Sequence, residues 1–183
     1  KLLILRGTPG FAGIRPVAAS LQRADMGGSL NTRELLEIAA VLRAARTAGD
    51  YGAGEEKSPI SHLFQALTPN KFLEKTITNS IVGEDELADS ASPELASIRR
   101  HMRATEAKVR DILQKLISSN QSKYLQESII TIRSDRYVVP VKAEHKNAIP
   151  GLVHDVSSSG STFFIEPMGV VKANNELKEL QSR

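Results

Sequence analysis

Apolar residues recur at helical spacing in the first strongly periodic segment of the chain, LNTRELLEIAAVLRAARTAG at residues 30–49. Asn31 precedes Glu34 by three residues, which is the spacing of a reciprocal N-terminal cap, and Gly49 is a natural C-terminal stop. The positions that share one helical face are Leu35, Ile38, Ala39, Leu42 and Ala45. This segment is therefore predicted to be an amphipathic helix.

The rest of residues 1–90 predicts shorter helices, with two of them around 60–67 and 71–80. Residues 50–59, DYGAGEEKSP, have no periodicity and are predicted to be a flexible loop.

A longer helix is predicted from Pro93, because Ser92 is a good N-cap, proline is favoured in the first helical position and Glu94 suits the first turn. The apolar seam of this helix repeats every three or four residues, at Leu95, Ile98, Met102, Thr105, Val109, Ile112 and Leu116. The seam predicts a rod that packs along a partner helix. Basic residues off the seam are typical of a solvated face.

The period changes near Gln126, where SIITIRSDRYVVPVKA is rich in β-branched residues. The pair Ser134–Asp135 divides it into a predicted hairpin. Because Pro140 cannot donate to a ladder, its strand should lie at an edge or turn the prolyl nitrogen outward. A second hairpin is predicted over 151–167, with Ser158, Ser159 and Gly160 at its tip.

Helical spacing returns after Pro167, at Val170, Val171, Asn174, Leu177 and Leu180. The predicted fold class is α+β, mainly α: a helical bundle whose long antiparallel helices carry a small antiparallel sheet of two hairpins. The predicted divisions are 1–125 for the helical part, 126–167 for the β-rich part and 168–183 for the start of a returning helix. That helix stops at Arg183, so the chain is expected to be part of a larger domain.

Composition limits the chemistry that this chain can perform. Its 183 residues contain no cysteine, which excludes thiol nucleophiles, disulfides and zinc–thiolate sites. No apolar run reaches transmembrane length, so no membrane is an expected partner. With no secretory leader and no cysteine, the cytoplasm is the expected compartment. The net charge of +3 permits binding to a polyanion without requiring it. Aromatic residues are only 4%, which argues against a row of base-stacking platforms.

No catalytic, cofactor-binding or metal-binding residue is predicted. His154 and Asp155 are neighbours on a strand, where adjacent side chains point to opposite faces, so they are not expected to form a triad with a serine. Neither SSSGST nor RGTPGFAG has the lysine of a phosphate-binding P-loop. The four histidines are too far apart in sequence for a local zinc motif.

Two interpretations of the role of the predicted hairpins remain open. Cations and hydroxyls cluster there, and such groups hold phosphate oxygens without reading bases. The candidate contacts are Arg133, Arg136, Lys142, Lys146, His154, Ser158 and Ser159. Alternatively, the tip is a structural turn that its own serines satisfy.

Three blocks of the β-rich part and the following helix carry a family resemblance. Residues 136–142, 151–167 and 174–177 follow the pattern Arg-Tyr-x-x-Pro-Val-Lys, then Gly-x-x-His-Asp-x-Ser-x-Ser-Gly-x-Thr-x-Phe-x-Glu-Pro, then Asn-Asn-Glu-Leu. This resembles the MutS-like ATPases, in the second bacterial branch, which suppresses recombination. The stretches DSASPELASIRR and GGSLNTRELLEI resemble further segments of that branch.

The resemblance implies a helical lever whose long helices carry a β-rich clamp for duplex DNA, closed by two subunits. It implies a parent protein that uses ATP and magnesium, has a C-terminal nuclease domain, binds branched or mismatched DNA and, in some members, acts on stalled ribosomes and their rRNA. None of the ATPase or nuclease motifs is expected in this chain. The alternative hypothesis is a dimerisation module without nucleic-acid contact, motivated by the apolar seam.

Overall fold

The computed structural model describes residues 2–54 and 59–183. The chain forms two compact units, Lys1–Pro93 and Glu94–Arg183. The long predicted helix therefore belongs with the sheet that follows it. The sequence-based division at residue 125, which separated helix from sheet by role, stays a prediction.

The first unit is mainly helical. Its helices are α1 (Leu2–Arg6), α2 (Ala18–Asp25), α3 (Thr32–Gly52), α4 (Ser61–Gln65) and α5 (Lys71–Ser80). They are followed by an antiparallel pair of short strands and a 3-10 turn, which are β1 (Ile81–Gly83), β2 (Glu86–Leu87) and Asp89–Ala91. Sequence reasoning predicted only helices here and missed the strands, because segments of two or three residues have no readable period.

Helix α3 begins as predicted and ends later. The Asn31 side chain accepts from the Glu34 amide at 2.9 Å, and the Glu34 carboxylate accepts from the Asn31 amide at 2.9 Å. The predicted stop at Gly49 is wrong, because the Gly49 carbonyl accepts from the Ala53 amide at 2.9 Å and the helix continues to Gly52. The first residues of the predicted loop at 50–59 are thus helical, and residues 55–58 lie outside the described residues.

A small apolar core joins α3 to α5. Its buried members are Ile38, Ala39, Ile77 and Ile81. Beside it, the carboxylate of Glu74 on α5 is buried and receives two hydrogen bonds from Arg46 on α3, at 2.8 and 2.9 Å. Because a buried carboxylate needs such partners, this ion pair fixes how the two helices meet.

The second unit is a sheet with two helices. Its elements are α6 (Pro93–Ile117), a 3-10 turn (Asn120–Tyr124), β3 (Thr131–Arg133), β4 (Arg136–Lys142), a 3-10 turn (Ala143–His145), β5 (Gly151–Val156), β6 (Thr162–Pro167) and α7 (Met168–Gln181). The strand order is β3-β4-β6-β5, and every pairing is antiparallel. Both predicted hairpins are therefore present, joined through β4 and β6, and the α+β class is confirmed.

Helix α6 buries every fourth residue of its C-terminal half. These residues are Thr105, Val109, Leu113 and Ile117. The predicted seam was shifted by one residue at its end, since Ile112 and Leu116 are only partly buried. The shift arises because the core of this unit includes Val139, Val141 and Ile165 of the sheet as well as residues of α7.

Helix α7 returns along α6. Ile112 lies beside Gly169, and further back along α6 the His101 ring nitrogen lies 2.8 Å from the Glu176 carboxylate. Later residues of α7 therefore lie beside earlier residues of α6, so the two helices are antiparallel, as the sequence predicts.

Pro140 occupies an internal strand. The Gln126 amide donates to the Pro140 carbonyl at 2.9 Å, on the side of β4 away from β6. In an antiparallel ladder the amide and carbonyl of one residue face the same side, so the prolyl nitrogen also faces away from β6. This position lies beyond the end of β3, whose pairing stops at Val138. The prediction that β4 is an edge strand is therefore wrong, because it lies between β3 and β6. The alternative prediction, that the prolyl nitrogen faces out of the ladder, is found.

The Glu74 ion pair predicts an acid-sensitive first unit. The hydrogen bonds from Arg46 hold the pKa of Glu74 at about 2, below its ordinary value of 4.5. A depressed pKa stabilises the folded state above pH 4.5, and this contribution is lost as the pH falls toward 2. We expect Glu74→Gln to speed hydrogen exchange of the α3 and α5 amides at pH 5, with the difference from the unmodified chain shrinking by pH 2.

The control is Glu37→Gln, which removes only the exposed Arg33–Glu37 pair and should change protection little. If the Glu74→Gln chain and the unmodified chain differed equally at pH 5 and pH 2, the depressed pKa would be contradicted.

Candidate nucleic-acid interface

Four of the seven predicted contact residues lie at one end of the four-stranded sheet. Lys142 ends β4 and pairs with Thr162, the first residue of β6. The Ala143 amide donates to the Ser161 carbonyl at 2.9 Å, which holds the turn before Lys146 against the loop that contains Ser158 and Ser159.

Lys123 reaches the same end of the sheet, although sequence reasoning did not select it. It precedes Tyr124 in the turn after α6, and the next residue, Leu125, forms a bridge to Val141 of β4. We call Lys123, Lys142, Lys146 and Ser157–Ser161 together the serine–lysine end.

The serine loop is a tight turn closed by its own polar groups. The Ser157 hydroxyl accepts from the Thr162 amide at 3.1 Å, and the Gly160 amide donates to the Ser157 carbonyl at 2.8 Å. Gly160 has φ +72°, a conformation that glycine adopts without strain. The hydroxyls of Ser157, Ser159 and Ser161 follow one another at 3.3 and 2.7 Å. Ser158 and Ser159 are exposed. The loop therefore forms hydrogen bonds within itself and is also accessible to a ligand.

The three lysines of the serine–lysine end form no ion pair in the part of the chain that the structure describes. Within residues 2–54 and 59–183, none of them lies within 4 Å of a carboxylate oxygen. The Lys123 ammonium lies 5.1 Å from the Tyr124 ring centre, and the Lys146 ammonium lies 5.6 Å from that of Phe163. Glu144 is an exposed acidic residue in the same region, which leaves an excess of cations.

The other three predicted contacts lie against carboxylates of their own chain. Arg133 contacts Asp155 at 3.3 Å, and its guanidinium lies 4.1 Å from the Phe164 ring centre. Arg136 and His154 both approach Glu166, at 3.5 and 3.2 Å. Each of these three side chains therefore already contacts a carboxylate of the sheet.

A β-bulge corrects the expectation for His154 and Asp155. The β5–β6 register shifts between Val153 and Asp155, and a bulge interrupts the alternation of side chains. His154 reaches Glu166, and Asp155 reaches Arg133. The strand register places Glu166 and Arg133 on the same face of the sheet. His154 and Asp155 therefore both make their contacts on that face, although they are adjacent in sequence. The argument from alternation is wrong, although the contacts of both residues are with other strands and not with serines.

Glu166 is the centre of a buried polar network that the sequence did not reveal. It is fully buried and accepts from the Asn174 side-chain amide at 2.6 Å. The same amide nitrogen contacts the Tyr137 carbonyl at 3.2 Å. The Arg136 NH1 contact at 3.5 Å lacks hydrogen-bond geometry, so Asn174 and His154 supply the hydrogen bonding and Arg136 adds charge. The network ties α7 to β4, β5 and β6.

A second polar contact ties α6 to the sheet. The Tyr137 hydroxyl donates to the Glu106 carboxylate, and the Arg110 guanidinium lies 5.3 Å from the ring centre of Tyr137. Burial, together with the nearby carboxylate, raises the pKa of Tyr137 above its ordinary value of 10.0. This tyrosine therefore remains a neutral hydrogen-bond donor at physiological pH.

The sheet is strongly curled. β3 and β5 are its opposite edges, yet Arg133 of β3 contacts Asp155 of β5. In a flat sheet three strand spacings of about 4.8 Å would separate these edges, which is more than the two side chains span. The face that carries Arg133 and Phe164 is thus concave.

Neither a membrane span nor a metal cluster is found among the described residues. No helix there is long and apolar enough to cross a bilayer. No group of three or more histidine, aspartate or glutamate side chains in that part of the chain is arranged to hold a metal ion.

Comparison with known proteins gives close relatives. No family model matches the chain. The chain is 50% identical over 184 residues to "Endonuclease MutS2" of Ruminiclostridium cellulolyticum, 48% identical over 182 residues to that of Acetivibrio thermocellus and 47% identical over 184 residues to that of Clostridium botulinum. These matches cover 96–98% of the chain, which spans 23% of the length of each relative.

The buried network predicts that Glu166 is critical for stability. Glu166→Ala would leave Arg136, His154 and Asn174 without the carboxylate that they share, and breaking a buried charged pair costs about 3–5 kcal/mol. We expect urea unfolding to show a loss of that size. The control Glu176→Ala removes the exposed contact with His101 and should cost at most about 1 kcal/mol. Similar losses from both substitutions would rule out the special role of Glu166.

Proposed function

Because this chain belongs to the MutS2 branch of the MutS family, we propose that it forms the lever and clamp of a larger nucleic-acid-processing enzyme. In this proposal the serine–lysine end is the clamp surface that touches the nucleic-acid backbone. The helices α6 and α7 form the end of the lever that carries the sheet.

The observation that supports this function best is the set of three lysines that have no carboxylate partner among the described residues and lie beside exposed serine hydroxyls. Ammonium groups and hydroxyls hold phosphate oxygens and carry no direct sequence information. The backbone beneath them is held by the closed serine turn and by the core that includes Val141 and Ile117. A rigid, cationic tip of this kind suits sequence-independent binding.

The proposal changes the roles of three predicted contact residues. Arg133, Arg136 and His154 are assigned to shaping the sheet, because each already faces a carboxylate of the chain. Lys142, Lys146, Ser158 and Ser159 keep their role as phosphate contacts. Lys123 joins them.

The parent activity extends beyond this chain. The relatives carry the name endonuclease, and we propose that the full-length protein cleaves nucleic acid. ATP and magnesium would be bound by its other domains. Branched or mismatched DNA, suppression of recombination, homodimer formation, action on stalled ribosomes with their rRNA, and a cytoplasmic location remain parts of this proposal.

The competing hypothesis of a dimerisation module has less support. It depended on an apolar seam available to a second copy. In the C-terminal half of α6 the seam residue Val109 is buried in the core of its own unit, and the seam residues Ile112 and Leu116 pack against that core. A second copy would find little apolar surface on that part of α6.

We predict that reversing the three charges of the serine–lysine end abolishes most DNA binding. The test compares Lys123→Glu/Lys142→Glu/Lys146→Glu with a control of equal charge change on α6 and α7, Lys108→Glu/Lys172→Glu/Lys178→Glu. Binding to a four-way junction is measured by fluorescence anisotropy over a salt series. The first variant should lose at least about 100-fold in affinity, and its salt slope should become shallower by about three.

The control variant should keep most of the affinity, because its lysines lie on helices away from the tip. Equal losses of affinity in both variants would mean that binding depends on net charge alone and not on the serine–lysine end. Unchanged binding in the first variant would refute the proposed surface.

A further inference from the structure

Two aromatic side chains meet beside the serine–lysine end, and the proposed function does not yet use them. Tyr124 ends the turn after α6, and His145 ends the turn after β4. Their ring centres are 5.1 Å apart, and their planes are tilted by 55°. The bridge between Leu125 and Val141 brings the two turns together.

The polar edges of both rings are unused within the described residues. No hydrogen bond to the Tyr124 hydroxyl or to either His145 ring nitrogen occurs in residues 2–54 and 59–183. Tyrosine and histidine usually find partners for these atoms when they are buried, and both side chains here are partly exposed. The atoms are therefore accessible to a ligand that offers hydrogen-bond groups at its edge.

The rings are also held in place and flanked by cations. Tyr124 packs against the apolar core of the second unit, so it loses little freedom when a ligand binds. Lys123 places its ammonium 5.1 Å from the Tyr124 ring centre. Lys146 directly follows His145 in sequence and is exposed. A flat, polar-edged ligand with a phosphate on either side matches this arrangement.

We propose that Tyr124 and His145 form a stacking site for one unpaired nucleotide. This proposal rests on the proposed function and adds a ligand class to it: nucleic acid with a base extruded from its stack. Protein aromatic rings bind bases of any identity through their faces. Aromatic residues are scarce in the chain, at 4%, which fits one nucleotide and not a long single strand.

The test uses two DNA duplexes of the same sequence, one perfect and one with a single extra 2-aminopurine nucleotide in one strand. The unmodified chain should bind the bulged duplex about tenfold more tightly than the perfect one, and its binding should quench 2-aminopurine fluorescence. Tyr124→Leu keeps apolar packing and removes the ring, so it should lose both the preference and the quenching. Because Lys123 lies over the Tyr124 ring, the variant's affinity for the perfect duplex should fall by less than its affinity for the bulged one.

Tyr124→Phe is the matched control, because it keeps the ring and loses only the hydroxyl, so it should retain the quenching and most of the preference. His145→Ala, at a more peripheral position, should lower the preference about threefold if Tyr124→Leu fails to fold. Equal binding of both duplexes by the unmodified chain, or a preference that survives Tyr124→Leu, would overturn the stacking site. Binding to neither duplex at low salt would overturn the stacking site and the proposed function together, whereas binding without preference would overturn the stacking site alone.

Discussion

The second unit depends on one buried carboxylate. Glu166 has no exposed surface, and it receives a hydrogen bond from Asn174 and contacts from His154 and Arg136. Removing a carboxylate from water is costly unless its partners replace the lost solvation. Those partners come from α7, β5 and β4, so the requirement to solvate one charge fixes the positions of three elements. The apolar core that includes Val139, Ile165 and Val170 supplies the bulk of the packing but no comparable directional constraint.

The basic side chains of the sheet divide into two classes. Arg133, Arg136 and His154 lie near carboxylates and serve the fold. Lys123, Lys142 and Lys146 lie at the end of the sheet where the described chain offers them no carboxylate within ion-pair distance. A cation that has already been neutralised attracts a polyanion weakly, whereas one held in water by a rigid turn attracts it at full strength. Composition alone could not make this distinction, since it counts both classes equally.

Elements that are determined by local sequence signals were predicted correctly. The Asn31–Glu34 cap, the proline that opens α6 and the turn residues between strands each act over a few positions, and the corresponding elements are found. The parts that were missed depend on contacts between distant residues. Lys123 reaches the serine–lysine end only through the Leu125–Val141 bridge. The burial of Glu166 requires a helix that begins after it, and the bulge near His154 leaves no compositional trace.

The same bulge has a consequence for the solubility of the protein. β5 is an edge strand, and it exposes Leu152, Val153 and Val156 by 42–50%. An apolar edge with regular backbone geometry is a template onto which strands of other molecules can add, and such addition leads to fibrils. The irregular register between Val153 and Asp155 breaks the even spacing that an incoming strand would need. The bulge therefore disfavours the addition of another strand to the apolar edge β5, while its apolar side chains stay in place.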